Sequence, residues 1–269
     1  MLEKSDQGEL AFTRWGTGPA ILLLHGMTGS AAIWSRVAPL LDGLTAVAPD
    51  LLGFGDSPKP DSPYDLAAHA DALEPLVKRF SPSCVVGHSM GGVIALEVLR
   101  RHPEIGSGVL VAPALFESRA QAVTAMRESP YLERLFVRSP RLGLMVCRAI
   151  CHLRPVTRWL APLFARDLPP DIARASVDHT HPSYSRSMEE VILSGRGAAL
   201  IREVKQPLRV LYGSADLTVP RAVIENALAG RLAIEEIPGD HLALVRNPGP
   251  IAEVIRAAAM GTFLPAPTS

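Results

Sequence analysis

The segment GHSMG, residues 87–91, sets Ser89 among glycines where an apolar stretch gives way to helical spacing. A tight strand-to-helix turn of this kind lifts a hydroxyl clear of the sheet edge, and the small neighbours keep side chains out of the crowded corner. The following helix aims its first N–H groups and its dipole at the same spot, where an anion is stabilised. Serine is a poor nucleophile unless a base takes its proton. The corner therefore calls for a carboxylate and a histidine further along, in the order Ser, acid, His. Asp216 follows the run RVLYGSAD, and His241 follows IEEIPGD. In such a set His241 accepts the Ser89 proton and returns it to the leaving group, while Asp216 fixes the imidazole tautomer. An oxyanion needs two donors. The backbone N–H of Met90 is one, and that of Met27, in the loop after AILLLHG, is the other.

These residues need a frame. AILLLHG (20–26) is a continuous apolar run, as expected of a strand buried on both faces. Strands are also predicted at 8–16, from 44 into the Gly-rich loop ending at Ser57, at 84–87, 106–115, 207–216 and 232–240. Helical spacing occupies 31–41, 64–80, the stretch after Ser89, and 250–260. Strands alternating with helices imply parallel pairing and a doubly wound sheet. Asp216 and His241 then stand outside the carboxyl ends of their strands, where open α/β sheets carry functional groups. From 116 to 186 no apolar strand appears; the segment is helical, rich in arginine and punctuated by proline. The reading is one α/β core, 1–115 with 187–269, carrying a helical cap at 116–186.

Composition narrows the function classes. The 269 residues are 48% hydrophobic and 20% charged, enough for a sizeable core. The formal net charge is zero, which argues against nucleic acid as a partner. The first residues, MLEKSDQGEL, carry no apolar h-region, and no run is long enough to span a bilayer, so a cytoplasmic protein is expected. Three cysteines are too few for a disulfide framework. Cys147, Cys151 and His152 hint at a metal clip. They read instead as packing on a cap helix, because a structural zinc site takes four ligands and no second cluster is visible. No metal and no cofactor are expected.

The blocks LLLHGMTGSAAIW, PDLLGFGDS, VVGHSMGG, LYGSADLTVP and GDHLALVRNP together resemble the α/β-hydrolase family in its capped form. That resemblance implies an eight-stranded, mostly parallel sheet with helices on both faces. It also implies a serine hydrolase of the esterase or lipase kind, working through an acyl-serine without a cofactor. Related enzymes that resemble this pattern but open carbon–halogen bonds or epoxides carry aspartate at the position of Ser89; serine there points to acyl transfer. His25 is expected to fix the oxyanion loop and His88 to pack behind the serine. Asp50 and Asp56 are expected to stabilise their loop. Asp240 adjoins His241 too closely to orient it, and Glu117 is the weaker alternative acid after the sixth strand.

The substrate reading rests on apolar residues near Ser89. Met27, Met90, Leu115, Leu217 and Leu242, with His25 and Trp159, suggest a pocket for an apolar acyl group. The expected substrate is a carboxylic ester, with a monoacylglycerol as one example. Within the cap, eight arginines from Arg134 to Arg174 face three acids, Glu133, Asp167 and Asp171. The first reading is a lid whose apolar face roofs the pocket while the arginines meet water. The second is an amphipathic surface that touches anionic lipid, and the third an arginine turned inward to a substrate carboxylate. Oligomeric state is not legible. Two alternatives stand beside the ester reading: a carbon–carbon bond hydrolase or enol-lactonase with the same triad, and a small-molecule receptor on a hydrolase core.

Overall fold

The computed structural model describes residues 2–3, 9–128, 133–166 and 168–262. Eight strands form one sheet: β1 (Leu2–Glu3), β2 (Phe12–Trp15), β3 (Ala20–Leu24), β4 (Thr45–Pro49), β5 (Cys84–His88), β6 (Ser107–Val111), β7 (Leu208–Gly213) and β8 (Ile234–Ile237). Their order is β1-β2-β4-β3-β5-β6-β7-β8. The pairs from β4 through β8 are parallel, and β1 and β2 add an antiparallel edge. The fold is an α/β sheet of eight mostly parallel strands.

Side chains alternate across the central strands, and each face meets its own apolar layer. Leu22, Leu24, Val85, Leu110 and Val210 point into one layer, with α1 (Leu66–Phe80) and α2 (Met90–Arg101). Ile21, Leu23, Val86, Val109, Val111 and Leu211 point into the other. Helix α1 forms where the sequence asks for it. The Asp65 carboxylate caps its start by accepting from the Ala68 N–H at 2.8 Å. Leu66, Ala70, Leu73, Leu76 and Val77 repeat at helical spacing on its buried face. Lys78 and Arg79 complement the dipole in the last turn.

Between β6 and β7 the chain is helical: α3 (Arg119–Glu128), α4 (Glu133–Arg138), α5 (Pro140–His152), α6 (Arg154–Phe164), α7 (Pro170–Ala175), α8 (His181–Ser187) and α9 (Gly197–Glu203). A π-helical turn, Met188–Ile192, continues α8. Helix α10 (Arg221–Leu228) lies between β7 and β8, and α11 (Ala243–Arg246) and α12 (Pro248–Ala259) follow β8. The insert is fastened to the core by an isolated bridge between Phe54 and His179. Of the insert's acids, Asp167 and the Glu133 side chain lie outside the described residues.

Two local expectations are corrected. Residues 31–41 form two 3-10 turns, Ala31–Trp34 and Ala38–Leu40, rather than one helix. Ser30 caps the first turn, and Pro39 sits inside the second, where its ring blocks continuous α-helical bonding. The strand expected over 106–115 stops at Val111. Ala112 takes a positive φ of 46° and Pro113 follows, so Leu115 leaves the ladder.

Candidate functional site

Strand β5 ends at His88 and helix α2 begins at Met90, so Ser89 turns the chain alone, at φ 53° and ψ −117°. Such backbone costs a non-glycine residue about 1–3 kcal/mol and persists only where its surroundings hold it. Here the Ser89 N–H donates to the Val111 carbonyl at 3.0 Å, and the Ser89 carbonyl accepts from Gly92 N–H at 2.9 Å. The neighbours leave no room for side chains. A Cβ on Gly87 would stand 2.2 Å from the Gly91 carbonyl oxygen, and one on Gly91 would stand 2.4 Å from that of His25.

Asp216 sits in a turn just beyond β7. Its N–H donates to the Gly213 carbonyl at 2.9 Å, and the Tyr212 hydroxyl donates to the Asp216 carbonyl at 2.9 Å. Its carboxylate accepts from the Thr218 N–H at 2.7 Å and from His241 Nδ1 at 2.8 Å. Burial alone pushes this carboxyl up. The hydrogen bond and charge of His241, with the backbone donors of Thr218 and Val219, outweigh it and hold the group below the usual carboxylate range. His241 stands in the loop between β8 and α11. With Nδ1–H committed to Asp216, Nε2 is the nitrogen that can accept a proton.

Ser89, His88 and His241 line one cavity of about 190 Å³ beside the C-terminal sheet edge. Met27 and Leu242 line it too, and the rest of its wall is largely Ile33, Met126, Leu168, Ile172, Ile192 and Val219. The described lining residues include no arginine or lysine. Met27 belongs to the turn closed by a bond from Gly29 N–H to the Gly26 carbonyl, 3.1 Å long. Met90 opens α2, whose first-turn N–H groups have no partner within the helix.

The two histidines flanking this site serve its shape. His88 Nε2–H donates to the His241 carbonyl at 2.9 Å, and the two rings stand 4.9 Å apart. Burial, with the nearby His241 adding to it, pushes His88 down to about 3, so it is neutral at ordinary pH. His25 donates from Nδ1 to the Gly26 carbonyl at 2.7 Å and accepts from Leu51 N–H at Nε2, at 2.8 Å. It ties the Gly26 loop to the chain after β4. The Asp50 carboxylate accepts from Ala31 N–H and from Asp56 N–H, each at 2.7 Å, and so belongs to the loop's own bonding.

Of the seven residues expected to form the pocket, Met27 and Leu242 line the cavity, and Met90 is fully buried outside its lining. His25 and Leu115 are fully buried behind it. Trp159 and Leu217 face outward, 71% and 73% exposed. The apolar wall comes instead from the first 3-10 turn, α3, α7 and the π-helical turn, through Ile33, Met126, Ile172 and Ile192. None carries a sequence mark beyond helical spacing.

His152 is exposed on the last turn of α5. The imidazole beside Cys147 and Cys151 is that of His179.

Comparison with known proteins agrees with this architecture. The chain is 33% identical over 226 residues to a probable lysophospholipase, BODYGUARD 4, of Arabidopsis thaliana, covering 74% of this chain and 53% of that one. It is 40% identical over 134 residues to the lipase LipV of Mycobacterium tuberculosis, covering 46% and 51%. It is 24% identical over 247 residues to the 2-(acetamidomethylene)succinate hydrolase of Mesorhizobium japonicum, covering 84% and 82%. The chain thus spans about half the length of the first two relatives. Among solved structures, E-2-(acetamidomethylene)succinate hydrolase superposes with a TM-score of 0.72 at 20% identity, over 93% of this chain and 94% of that one. The sequence pattern of the alpha/beta hydrolase family matches residues 21–254, nearly the whole described core and insert, and the chain belongs to that family.

Proposed function

We propose that this hydrolase cleaves carboxylic esters with an apolar acyl part, through an acyl-serine formed on Ser89. The observation that carries the reading is the Asp216–His241 hydrogen bond beside an apolar cavity that Ser89 and His241 both line. Ser89 Oγ attacks the ester carbonyl carbon as its proton passes to His241 Nε2. Asp216 holds the ring and stabilises the imidazolium. The oxyanion accepts from the N–H groups of Met27 and Met90. Collapse breaks the carbon–oxygen bond, and His241 returns the proton to the departing alcohol. Water then attacks the acyl-serine, giving its proton to His241, and the acid leaves as Ser89 recovers its own.

The acyl part occupies the wall of Ile33, Met126, Ile172 and Ile192. The absence of a described arginine or lysine there disfavours a substrate with a free carboxylate at that wall. The test is hydrolysis of p-nitrophenyl esters of increasing acyl length. Turnover is expected with the native protein and not with Ser89→Ala, with a length profile that measures the cavity. No turnover by the native protein on any ester overturns the ester reading. It leaves carbon–carbon bond hydrolysis, or ligand binding on a hydrolase core, as the reading to pursue.

A further inference from the structure

Helix α5 brings Cys147 and Cys151 one turn apart on one face, with their Sγ atoms 4.0 Å from each other. His179, from the segment between α7 and α8, reaches the same point, its Nε2 3.9 Å from Cys147 Sγ. The three potential ligand atoms all lie within 4.8 Å of one another. Around a tetrahedral zinc ion two thiolate sulfurs stand about 3.8 Å apart, and a sulfur and an imidazole nitrogen about 3.6 Å, from bond lengths near 2.3 and 2.05 Å. The cluster therefore has the outline of one face of such a tetrahedron, and one thiol has only to swing inward to close it.

The imidazole supplies an independent sign. His179 is 95% buried by its 5% exposure, yet Nδ1 has no hydrogen-bond partner and Nε2 meets only a thiol. A buried ring that finds no oxygen or nitrogen acceptor is uncommon and asks for a reason. A metal ion on Nε2 gives that nitrogen a partner, though not Nδ1. The donor set of two sulfurs and one imidazole suits a thiophilic ion and offers nothing to calcium or magnesium, which take oxygen ligands.

We propose that Cys147, Cys151 and His179 bind one Zn²⁺ ion, with a solvent molecule at the fourth position. On binding, each thiol releases its proton to solvent, and the two thiolates balance the ion's charge. The site has a structural consequence. His179 is the residue that bridges to Phe54, so the ion fastens α5 to the same point at which the insert is pinned to the core.

The probe is Co²⁺ added to the fully reduced protein, followed by Zn²⁺. One Co²⁺ per chain is expected, with a thiolate-to-cobalt charge-transfer band that Zn²⁺ abolishes. Cys147→Ser with Cys151→Ser removes the band, and Cys84→Ser, whose thiol is buried in the sheet, retains it. His179→Ala weakens Co²⁺ binding about tenfold or more. Zn²⁺ raises the Tm of the native protein and leaves that of the double-serine protein unchanged. Absence of the band in the reduced native protein, with no need of any variant, overturns the proposal. So does a band that survives in the double-serine protein. The ester assay is independent of either result.

Discussion

Two buried imidazoles set the acid limit of this protein. His69 and His88 are fully enclosed, and burial pushes each down to about 3; the nearby His25 adds to this at His69, and His241 at His88. In the unfolded chain both titrate near 6.5. Between those two values the unfolded chain binds more protons, so stability is whole above about pH 6.5 and falls as the pH drops through that window. From pH 7 to pH 5 each imidazole accounts for a loss of about 2 kcal/mol. Urea midpoints at the two pH values measure this, and a midpoint that does not move contradicts the burial of these rings as neutral groups. At the same scale, Asp216→Asn removes the acceptor that fixes the His241 tautomer. An ester kcat lower by three to four orders of magnitude, on the order of 10³–10⁴-fold, is expected, with KM little changed.

At the scale of elements, the turn from β5 into α2 depends on the small residues around it. Gly91→Ala drives a methyl group into the carbonyls of Leu24 and His25, both backbone atoms that cannot rotate away. A loss of about 3 kcal/mol or more is expected in chemical denaturation. Helix α6 is the opposite case, since its apolar side has little to pack on. Trp159 and Phe164 are 71% and 86% exposed, and Leu163 and Val156 stand out beside them. Arg141 and Arg148 on α5, Arg158 on α6 and Arg166 just beyond it are exposed. We propose that this apolar face, rimmed by arginine, meets an anionic lipid surface, which suits it in character and charge. Sedimentation with vesicles containing anionic lipid is expected to capture the native protein at low salt and not Trp159→Ala with Phe164→Ala. Turnover of a soluble short-chain ester stays unchanged in that variant; equal capture of both proteins contradicts the assignment. Elements differ in how openly the sequence announces them. Strands β3 and β5 are readable because burial on both faces demands unbroken apolar runs. The end of β6 is not, because Ala112 carries its positive φ without a glycine to announce it. Residues 31–41 have helical spacing, but nothing in that spacing separates a 3-10 turn from an α-helix.

For the whole molecule, the order Ser, acid, His along the chain and the strand preceding each are visible before any folding, because each group stands within four residues of the end of a segment that reads as a strand. The cavity wall is not visible in that way. It is assembled from Ile33, after β3, and from Met126, Ile172 and Ile192, on three separate elements between β6 and β7, and only the packing of those elements brings them together. Leu115 and Leu217, close in sequence to chemically suggestive residues, are turned away from the cavity. His179 is hidden for the same reason: it stands 28 residues beyond Cys151, and no period or motif connects them. Among the described residues no helix is long and apolar enough to cross a membrane.

The pairing of β6 with β7 has a consequence for how the chain reaches this state. Val111 and Leu211 are partners in adjacent parallel strands although the whole insert separates them. The insert is thus a loop whose two ends meet at a single strand spacing, about 4.8 Å. Closing such a loop is slow, but its equilibrium cost grows only logarithmically, by about 0.6 kcal/mol for each doubling of length. The pairings among β2 to β6 involve no residue of the insert, whereas the pairing of β6 with β7 spans it. Added length between β6 and β7 therefore costs the sheet little in loop entropy, provided the residues that join the sheet's own core, such as Val191, Leu200 and Ile201, keep their places. Because that same connection supplies Met126, Ile172 and Ile192 to the cavity, a change of its length acts on the cavity wall before it acts on the strand order.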